Sequence, residues 1–354
     1  MFINGRFLTQ PLTGVQRYCR ELVRSLDRLL QEEDGAGRRW TLLQPEGAGS
    51  SLPLRAMHTL TVGGPGGHMW EQGALAYAAR DGVLLSLGNS GPVCHRRHLV
   101  VIHDAAVFRT PENYSWRYAA AHRACARLLA HTAHLATVSR FSQQELAELL
   151  NLHRATIAIV PNGVDHVLGH RPDPSILSQL GISGSKYLLC VGSLSPNKNI
   201  IRAVKAFHAV RGLRAKMVIV GGSAPNVYRR TAPELGRHVL VAERVSDEEL
   251  VALYQGATAL VFPSLYEGFG IPPLEAMAHG CLVLASDIEP LREVCAGAAA
   301  YFNPLDIGEM EALFARVLVG FLCRNALVEE GKRRLALYTW QSSAQMLREI
   351  VDGL

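Results

Sequence analysis

The sequence predicts an α/β protein made of two doubly wound, Rossmann-like domains facing one another across a cleft. Three observations lead there. The 354 residues exceed what one hydrophobic core usually serves. Strand-like and helix-like patterns alternate along nearly the whole chain, which is how parallel sheets covered by helices are written. A turn-rich stretch, Pro161-Asn162-Gly163 followed by Gly169, Pro172 and Pro174, reads as a linker between two similar halves. The expected domains are 1–165 and 173–335, with a last helix in 338–354 opening at Tyr338-Thr339-Trp340.

The elements follow in order. Apolar runs rich in β-branched residues place strands at Trp40–Leu43, Val83–Leu87, Leu99–Ile102, His134–Val138 and Thr156–Val160. A second set falls at Tyr187–Val191, Lys216–Val220, His238–Val241, Ala259–Phe262, Leu282–Ala285 and Ala299–Phe302. Amphipathic spacing places helices at Gln16–Leu30, Trp116–Leu129, Ser142–Leu150 and Ile200–Val210. In doubly wound sheets, ligands bind at the carboxyl ends of strands, so the loops that leave those ends are where chemistry is sought.

Composition narrows the class. Hydrophobic residues at 48% against 19% charged exclude a disordered chain. No apolar run approaches the ~20 residues that span a bilayer. The N-terminus lacks the basic-then-apolar order of a signal peptide, so the expected location is the cytoplasm. Seven cysteines at 19, 94, 125, 190, 281, 295 and 323 form no Cys-x-x-Cys pair, which predicts reduced, packed thiols. Residues 1–170 hold 17 Arg and no Lys against 13 acids, and the whole chain carries +5, too mild a charge to indicate nucleic acid.

The most informative segment is 258–285, a strand, a loop, a helix over 272–279 and a strand. Its loop reads Pro263-Ser264-Leu265-Tyr266-Glu267-Gly268-Phe269-Gly270-Ile271, and its helix opens Pro272-Pro273-Leu274-Glu275. Proline is favoured at a helix start, Gly268 and Gly270 let backbone approach a ligand, and free N–H groups with the helix dipole suit a diphosphate. Glu267 and Glu275 flank the loop, and carboxylates accept paired hydrogen bonds from vicinal hydroxyls. A lone Glu here would be a solvated acid or a partner of the helix dipole. The assembled pattern argues for a site.

Glu267 and Glu275 stand as Glu-x₇-Glu around Gly-Phe-Gly-Ile-Pro-Pro-Leu. This resembles the signature of the retaining nucleotide-sugar glycosyltransferases of family four, which have the GT-B fold. The likeness, closest to bacterial surface-polysaccharide enzymes, extends over nearly the full chain. It implies an N-terminal acceptor-side domain and a C-terminal domain that binds the nucleotide-sugar. Glu275 would hold the donor ribose, Glu267 the donor sugar, and the Gly268-Phe269-Gly270 backbone the distal phosphate and sugar.

After the strand Tyr187–Val191 comes Gly192-Ser193-Leu194-Ser195-Pro196-Asn197-Lys198-Asn199. A glycine turn and a lysine ahead of a helix suit a phosphate corner. By the resemblance, Lys198 neutralises the leaving diphosphate. Many members place Arg directly after the glycine; Ser193 stands there in this chain. His103-Asp104 follows the strand Leu99–Ile102. Alone, His103 reads as a hydrogen-bonded structural histidine; the resemblance places it against the donor sugar, near the reacting carbon. Leu12-Thr13-Gly14-Val15-Gln16 resembles the family's glycine loop beside donor phosphates and acceptor, with Gly14 its one glycine.

The implied reaction passes a hexose, mannose from GDP-mannose by the nearest resemblance, to a glycan or lipid-linked glycan acceptor with retention. No Asp-x-Asp occurs, so neither a metal nor a cofactor is expected. An epimerase or phosphorylase on the same fold, or a protein that binds a nucleotide-sugar without turnover, are the competing classes; paired catalytic acids for the first and a cofactor-bearing lysine for the second are not evident. A nicotinamide dehydrogenase fails for want of an early Gly-x-Gly-x-x-Gly. Arg17, Arg20, Arg24 and Arg28 share a helix face. That face reads either as a solvated stripe helped by Glu21 and Asp27 or as a weak peripheral contact with an anionic membrane.

Overall fold

The computed structural model describes residues 1–32, 38–49, 52–212, 214–221, 235–321 and 324–354. The chain divides into two compact units. The first comprises Met1–Arg109, Ala119–Gly163 and Tyr338–Leu354; the second comprises Thr110–Tyr118 and Val164–Leu337.

The first unit holds a seven-stranded sheet among its described residues. Its strands are β1 (Phe2–Asn4), β2 (Thr41–Pro45), β3 (His58–Val62), β4 (Leu84–Ser86), β5 (His98–Val101), β6 (His134–Thr137) and β7 (Ile157–Ile159). They are parallel throughout, in the order β3-β2-β1-β4-β5-β6-β7. The order reverses direction between β1 and β4. The sequence-predicted strands omit β1, which is three residues long, and β3, an exposed edge strand. The His-Thr-Leu-Thr-Val sequence of β3 buries no face, so it lacks the apolar pattern that would announce it. Val100, Leu129, Leu146 and Ile157 pack one core cluster; Leu43, Trp70, Leu75 and Leu84 pack another.

The second unit holds a six-stranded parallel sheet among its described residues. Its strands are β8 (Tyr187–Val191), β9 (Lys216–Val220), β10 (Val239–Ala242), β11 (Ala259–Phe262), β12 (Val283–Ser286) and β13 (Ala299–Phe302). The order is β10-β9-β8-β11-β12-β13, with its reversal between β8 and β11. Leu188, Ile219, Val261 and Leu284 are fully buried and join Phe207, Phe302 and Phe314 in one large apolar cluster. Packed inside the unit, these strands read as continuous apolar runs, and four of the six have the predicted bounds.

Helix ends follow local chemistry. Ser139 caps Arg140–Leu150 by accepting from Ser142 N at 3.0 Å, and left-handed Asn151 stops it. The helix Trp340–Asp352 packs within the first unit, where the Trp340 ring lies 5.8 Å from Tyr18 and Ser343 Oγ donates to Pro161 O at 2.8 Å. No described helix is long and apolar enough to cross a membrane.

Two expectations change. The helix Gly14–Glu32 exposes only Arg28 of its four arginines; Arg17, Arg20 and Arg24 are half-buried, and Arg24 pairs with Glu21 at 2.6 Å. Asp27 is buried and pairs with none of them. Its carboxylate accepts the backbone N–H groups of Arg55, Ala56 and Met57, each at 2.9 Å, and so pins the segment leading into β3. Among the cysteines, Cys19, Cys190, Cys281 and Cys295 are buried thiols, whereas Cys94 is exposed. Burial raises Cys190, Cys281 and Cys295 to about 12, so they stay protonated. Cys323 lies outside the described residues.

Candidate functional site

The predicted loops of the second unit leave β8 and β11, the two strands that flank its topological reversal. That is where doubly wound sheets open a crevice beyond their strand ends. Four contacts knit the loops together. Leu265 N donates to Asn197 O at 2.8 Å. The Asn199 side chain donates to Pro263 O at 3.0 Å and to Pro304 O at 2.8 Å, so one amide ties the exits of β8, β11 and β13. Arg202 holds that amide from behind, donating to Asn199 Oδ1 at 2.7 Å. Asn199 adopts a left-handed backbone, φ 55°, which asparagine tolerates better than most residues.

Gly192 leaves β8 with its N–H bonded to Val220 O at 2.9 Å. A Cβ on Gly221, at the exit of β9, would stand 2.3 Å from Gly192 O, so these two loop starts close on each other only with glycine at 221. Ser193 Oγ and Ser195 Oγ are 3.0 Å apart. Lys198 extends to Glu267, its Nζ 2.6 Å from Oε1, and lies 5.6 Å from the Phe262 ring centroid. The structure thus joins the lysine and carboxylate that the sequence places in separate motifs.

Gly268, Phe269 and Gly270 are buried, the Phe269 side chain included. Gly270 caps the helix Ile271–Ala278 at φ 99°, a conformation that suits glycine, and a Cβ there would meet the Leu291 side chain at 2.7 Å. The helix begins one residue earlier than predicted. Pro272 and Pro273 both fall among the four leading positions whose N–H groups a helix leaves open, and neither has an N–H. Two of the four open positions at this helix start thus have no N–H to offer an anion, which leaves Lys198 as the nearby cation on the site loops.

Glu275 is buried, and its carboxylate sits between Tyr254 Oη at 2.9 Å and His166 Nε2 at 3.2 Å. The His279 ring lies parallel to Tyr254, centroids 6.1 Å apart. Tyr254 and His166 escaped the sequence reading because they lie 21 and 109 residues from Glu275. Ser264 also escaped it. Its Oγ is buried with no hydrogen-bond partner, as is Asn197 Oδ1, and both sit on the site loops. An uncompensated buried hydroxyl costs stability, so its place on the same loop as Glu267 marks it as a candidate ligand group.

His103 and Gly14 belong to the first unit. His103 follows β5 and is buried; its Nε2 lies 2.8 Å from Leu87 O. A carbonyl only accepts, so Nε2 carries the proton and Nδ1 keeps the lone pair. Burial lowers its pKa to about 4, so the ring is neutral near pH 7. Tyr18 packs edge-on at 4.6 Å, and the His103 carbonyl accepts from Ser142 Oγ at 3.0 Å. Gly14 is the exposed first residue of its helix.

Residues 174–333 match the family described as glycosyl transferases group 1, and residues 70–168 match glycosyltransferase family 4; together they cover most of the chain. An O-antigen chain mannosyltransferase, RfbU, of Salmonella typhimurium is 29% identical over 239 residues, 63% of this chain and 64% of that protein. The chain therefore spans somewhat less than two thirds of that relative's length. Among solved structures, sucrose-phosphate synthase from Thermosynechococcus elongatus superposes with a TM-score of 0.74 at 17% identity, covering 99% of this chain and 98% of that one. The Anabaena protein HepE, solved with UDP and glucose, gives 0.74 at 15% identity over 100% and 99%. These likenesses fix the fold as GT-B.

Proposed function

Because this chain belongs to the glycosyltransferases of family four, we propose that it transfers a hexose from a nucleotide-sugar to a hydroxyl of a glycan or lipid-linked glycan, with retention, in polysaccharide biosynthesis. The observation that carries this reading is the Lys198–Glu267 pair at 2.6 Å on two loops that flank the reversal of the second sheet. An ammonium and a carboxylate there match the two needs of the reaction, a cation for the leaving diphosphate and an acceptor for sugar hydroxyls. In this reading the diphosphate takes Lys198 from Glu267, and the released carboxylate turns to the sugar.

Glu275 would take the ribose hydroxyls. Tyr254 and His166 already fix its orientation, so little freedom is lost when it binds. Ser264 Oγ, buried without a hydrogen-bond partner, supplies a further donor. As the bond from the anomeric carbon to the phosphate oxygen breaks, charge gathers on the diphosphate beside Lys198. The acceptor oxygen bonds to that carbon on the same face, and its proton passes to the departing phosphate oxygen. His103, neutral in its Nε2–H form, would serve the sugar as a hydrogen-bond acceptor through Nδ1.

We take the sugar to be mannose and the base guanine, and the reaction to need neither metal nor cofactor. The mannosyltransferase names of the relatives support the sugar, and the missing Asp-x-Asp supports the metal-free route. Any peripheral membrane contact by the first helix would rest on Arg28 and the 41%-exposed side chain of Arg24.

The test is thermal stabilisation across GDP-, UDP-, ADP- and dTDP-sugars. A rise with one base, abolished in Glu275→Ala and Lys198→Ala, supports the reading and names the base. A flat response to every nucleotide-sugar, with no hydrolysis of any, overturns it.

A further inference from the structure

Three segments of the second unit meet at Glu275. The carboxylate itself stands in the helix Ile271–Ala278. Tyr254 stands in the helix Asp247–Gly256, a few residues after β10. His166 stands in the short turn Asp165–Gly169 that follows β7. All three groups are buried: the Glu275 and His166 side chains are 9% and 3% exposed, and Tyr254 is 1% exposed.

The two partners divide the carboxylate between them. Tyr254 Oη donates to Oε2 at 2.9 Å, and His166 Nε2 lies 3.2 Å from Oε1. An ionised carboxylate only accepts, so Nε2 is the nitrogen that carries the proton. The Tyr254 ring lies against the His279 ring, 15° from parallel, so ring packing places its hydroxyl. One donor therefore reaches each oxygen from within the protein.

This division has a chemical consequence. An ionised carboxylate has about four lone-pair sites, shared equally by its oxygens. One site on each oxygen is taken, and one on each is left. The terminal torsion of a glutamate is ordinarily broad, and a donor on each oxygen removes that freedom. What remains is a fixed pair of acceptors, set apart by the width of one carboxyl group. Vicinal hydroxyls fit such a pair, one to each oxygen. A ligand with a single hydroxyl would leave one acceptor of a buried carboxylate without a donor. A site built around a hydroxyl rejects the analogue that lacks it far more strongly than an apolar pocket rejects a missing methylene.

We infer that Tyr254 and His166 set Glu275 to demand both ribose hydroxyls, so that the donor is a ribonucleoside diphosphate sugar and 2′-deoxyribose donors, dTDP-sugars among them, are refused. The inference deepens the nucleotide-sugar reading and rests on its assignment of Glu275 to the ribose. Tyr254 and His166 are positioning residues here: they act through Glu275 and need not touch the ligand.

The test is calorimetric titration of the full chain with GDP, UDP and ADP, each beside its 2′-deoxy counterpart. Base preference cancels in each ratio. Whichever base binds should bind about 10- to 100-fold more tightly as the ribonucleotide, as for a lost hydrogen bond to a charged group. His166→Ala and Tyr254→Phe free one carboxylate oxygen each. Either should cut that ratio to about threefold or less, mainly through weaker ribonucleotide binding. His166→Gln, whose side-chain amide offers an N–H in place of Nε2–H, should restore most of it. A change that only loosened the fold would weaken both forms alike and leave the ratio standing. Should Tyr254→Phe fail to fold, the two His166 variants decide. Equal binding of the ribo and deoxy forms by the parent overturns the inference alone. So does a ratio that His166→Ala leaves intact. Failure of all six nucleotides to bind would overturn the nucleotide-sugar reading, and this inference with it.

Discussion

The two units share a plan and differ in where they keep their charge. Each is a parallel sheet whose order reverses beside its first strand. At the reversal of the first unit the ion pair is buried: the Arg6 and Glu71 side chains are 12% and 1% exposed. At that of the second the pair is nearer water, Lys198 and Glu267 being 24% and 11% exposed. The first unit also buries the neutral histidines His98 and His103, whereas the second buries the Glu275 carboxylate between Tyr254 and His166. One architecture can therefore hold a fixed polar floor or a pair free to exchange partners, and side chains at the strand exits decide which.

The sharpest way to break this contrast is to remove one carboxylate from each pair. Glu71→Ala leaves Arg6 without its buried partner and should cost about 3–5 kcal/mol of stability, measured by urea unfolding. An effect under about 1 kcal/mol would mean that Glu71 is no structural floor. Lys198→Ala is the counterpart. It should lower kcat about 10²-fold, as for removal of a group that stabilises developing charge, while the urea midpoint stays near that of the parent. A midpoint falling as far as in Glu71→Ala would erase the distinction.

Acid separates the units next. Burial lowers His98 to about 3 and both His103 and His122 to about 4, against 6.5 when unfolded. The unfolded chain then binds more protons than the folded one below 6.5. The stability these rings confer is fully present above that pH and is lost as pH falls toward 4. Hydrogen exchange should show the first unit opening over that window before the second. Simultaneous opening would argue against burial of the rings as the cause.

The smallest effect is expected at Ser264. Ser264→Ala removes a buried hydroxyl with no partner and should raise stability by up to about 1 kcal/mol, while weakening nucleoside diphosphate binding less than tenfold. Unchanged affinity would remove Ser264 from the site.

Sequence legibility followed the same divide. The strands of the second unit are apolar runs bounded by turns, so Tyr187–Val191, Lys216–Val220, Ala259–Phe262 and Ala299–Phe302 could be read with their bounds. Its loops carry compact motifs, so Lys198 and Glu267 stood out although 69 residues separate them. The first unit gave less. β1 is three residues at the chain's start, and Asn4 and Arg6 reach Glu71 from 67 and 65 positions away with no local pattern to link them. Tertiary contact alone creates that floor. The same holds for Asn199, whose amide spans three loops, and for Tyr254 and His166 behind Glu275. The Pro272-Pro273 pair could have been read more fully, since two residues without N–H groups cannot both start a helix and donate from it.

The bond between Lys198 and Glu267 has a consequence for life in a crowded cell. A bare ammonium in a loop would collect whatever inorganic phosphate or other small anion the surroundings hold. Here a tethered carboxylate occupies it, and tethering makes that rival's local concentration far higher than that of most free solutes. Only a ligand that grips several loops at once can repay the exchange. On the reading proposed above, the pair works as a threshold, rejecting fragments and admitting whole molecules.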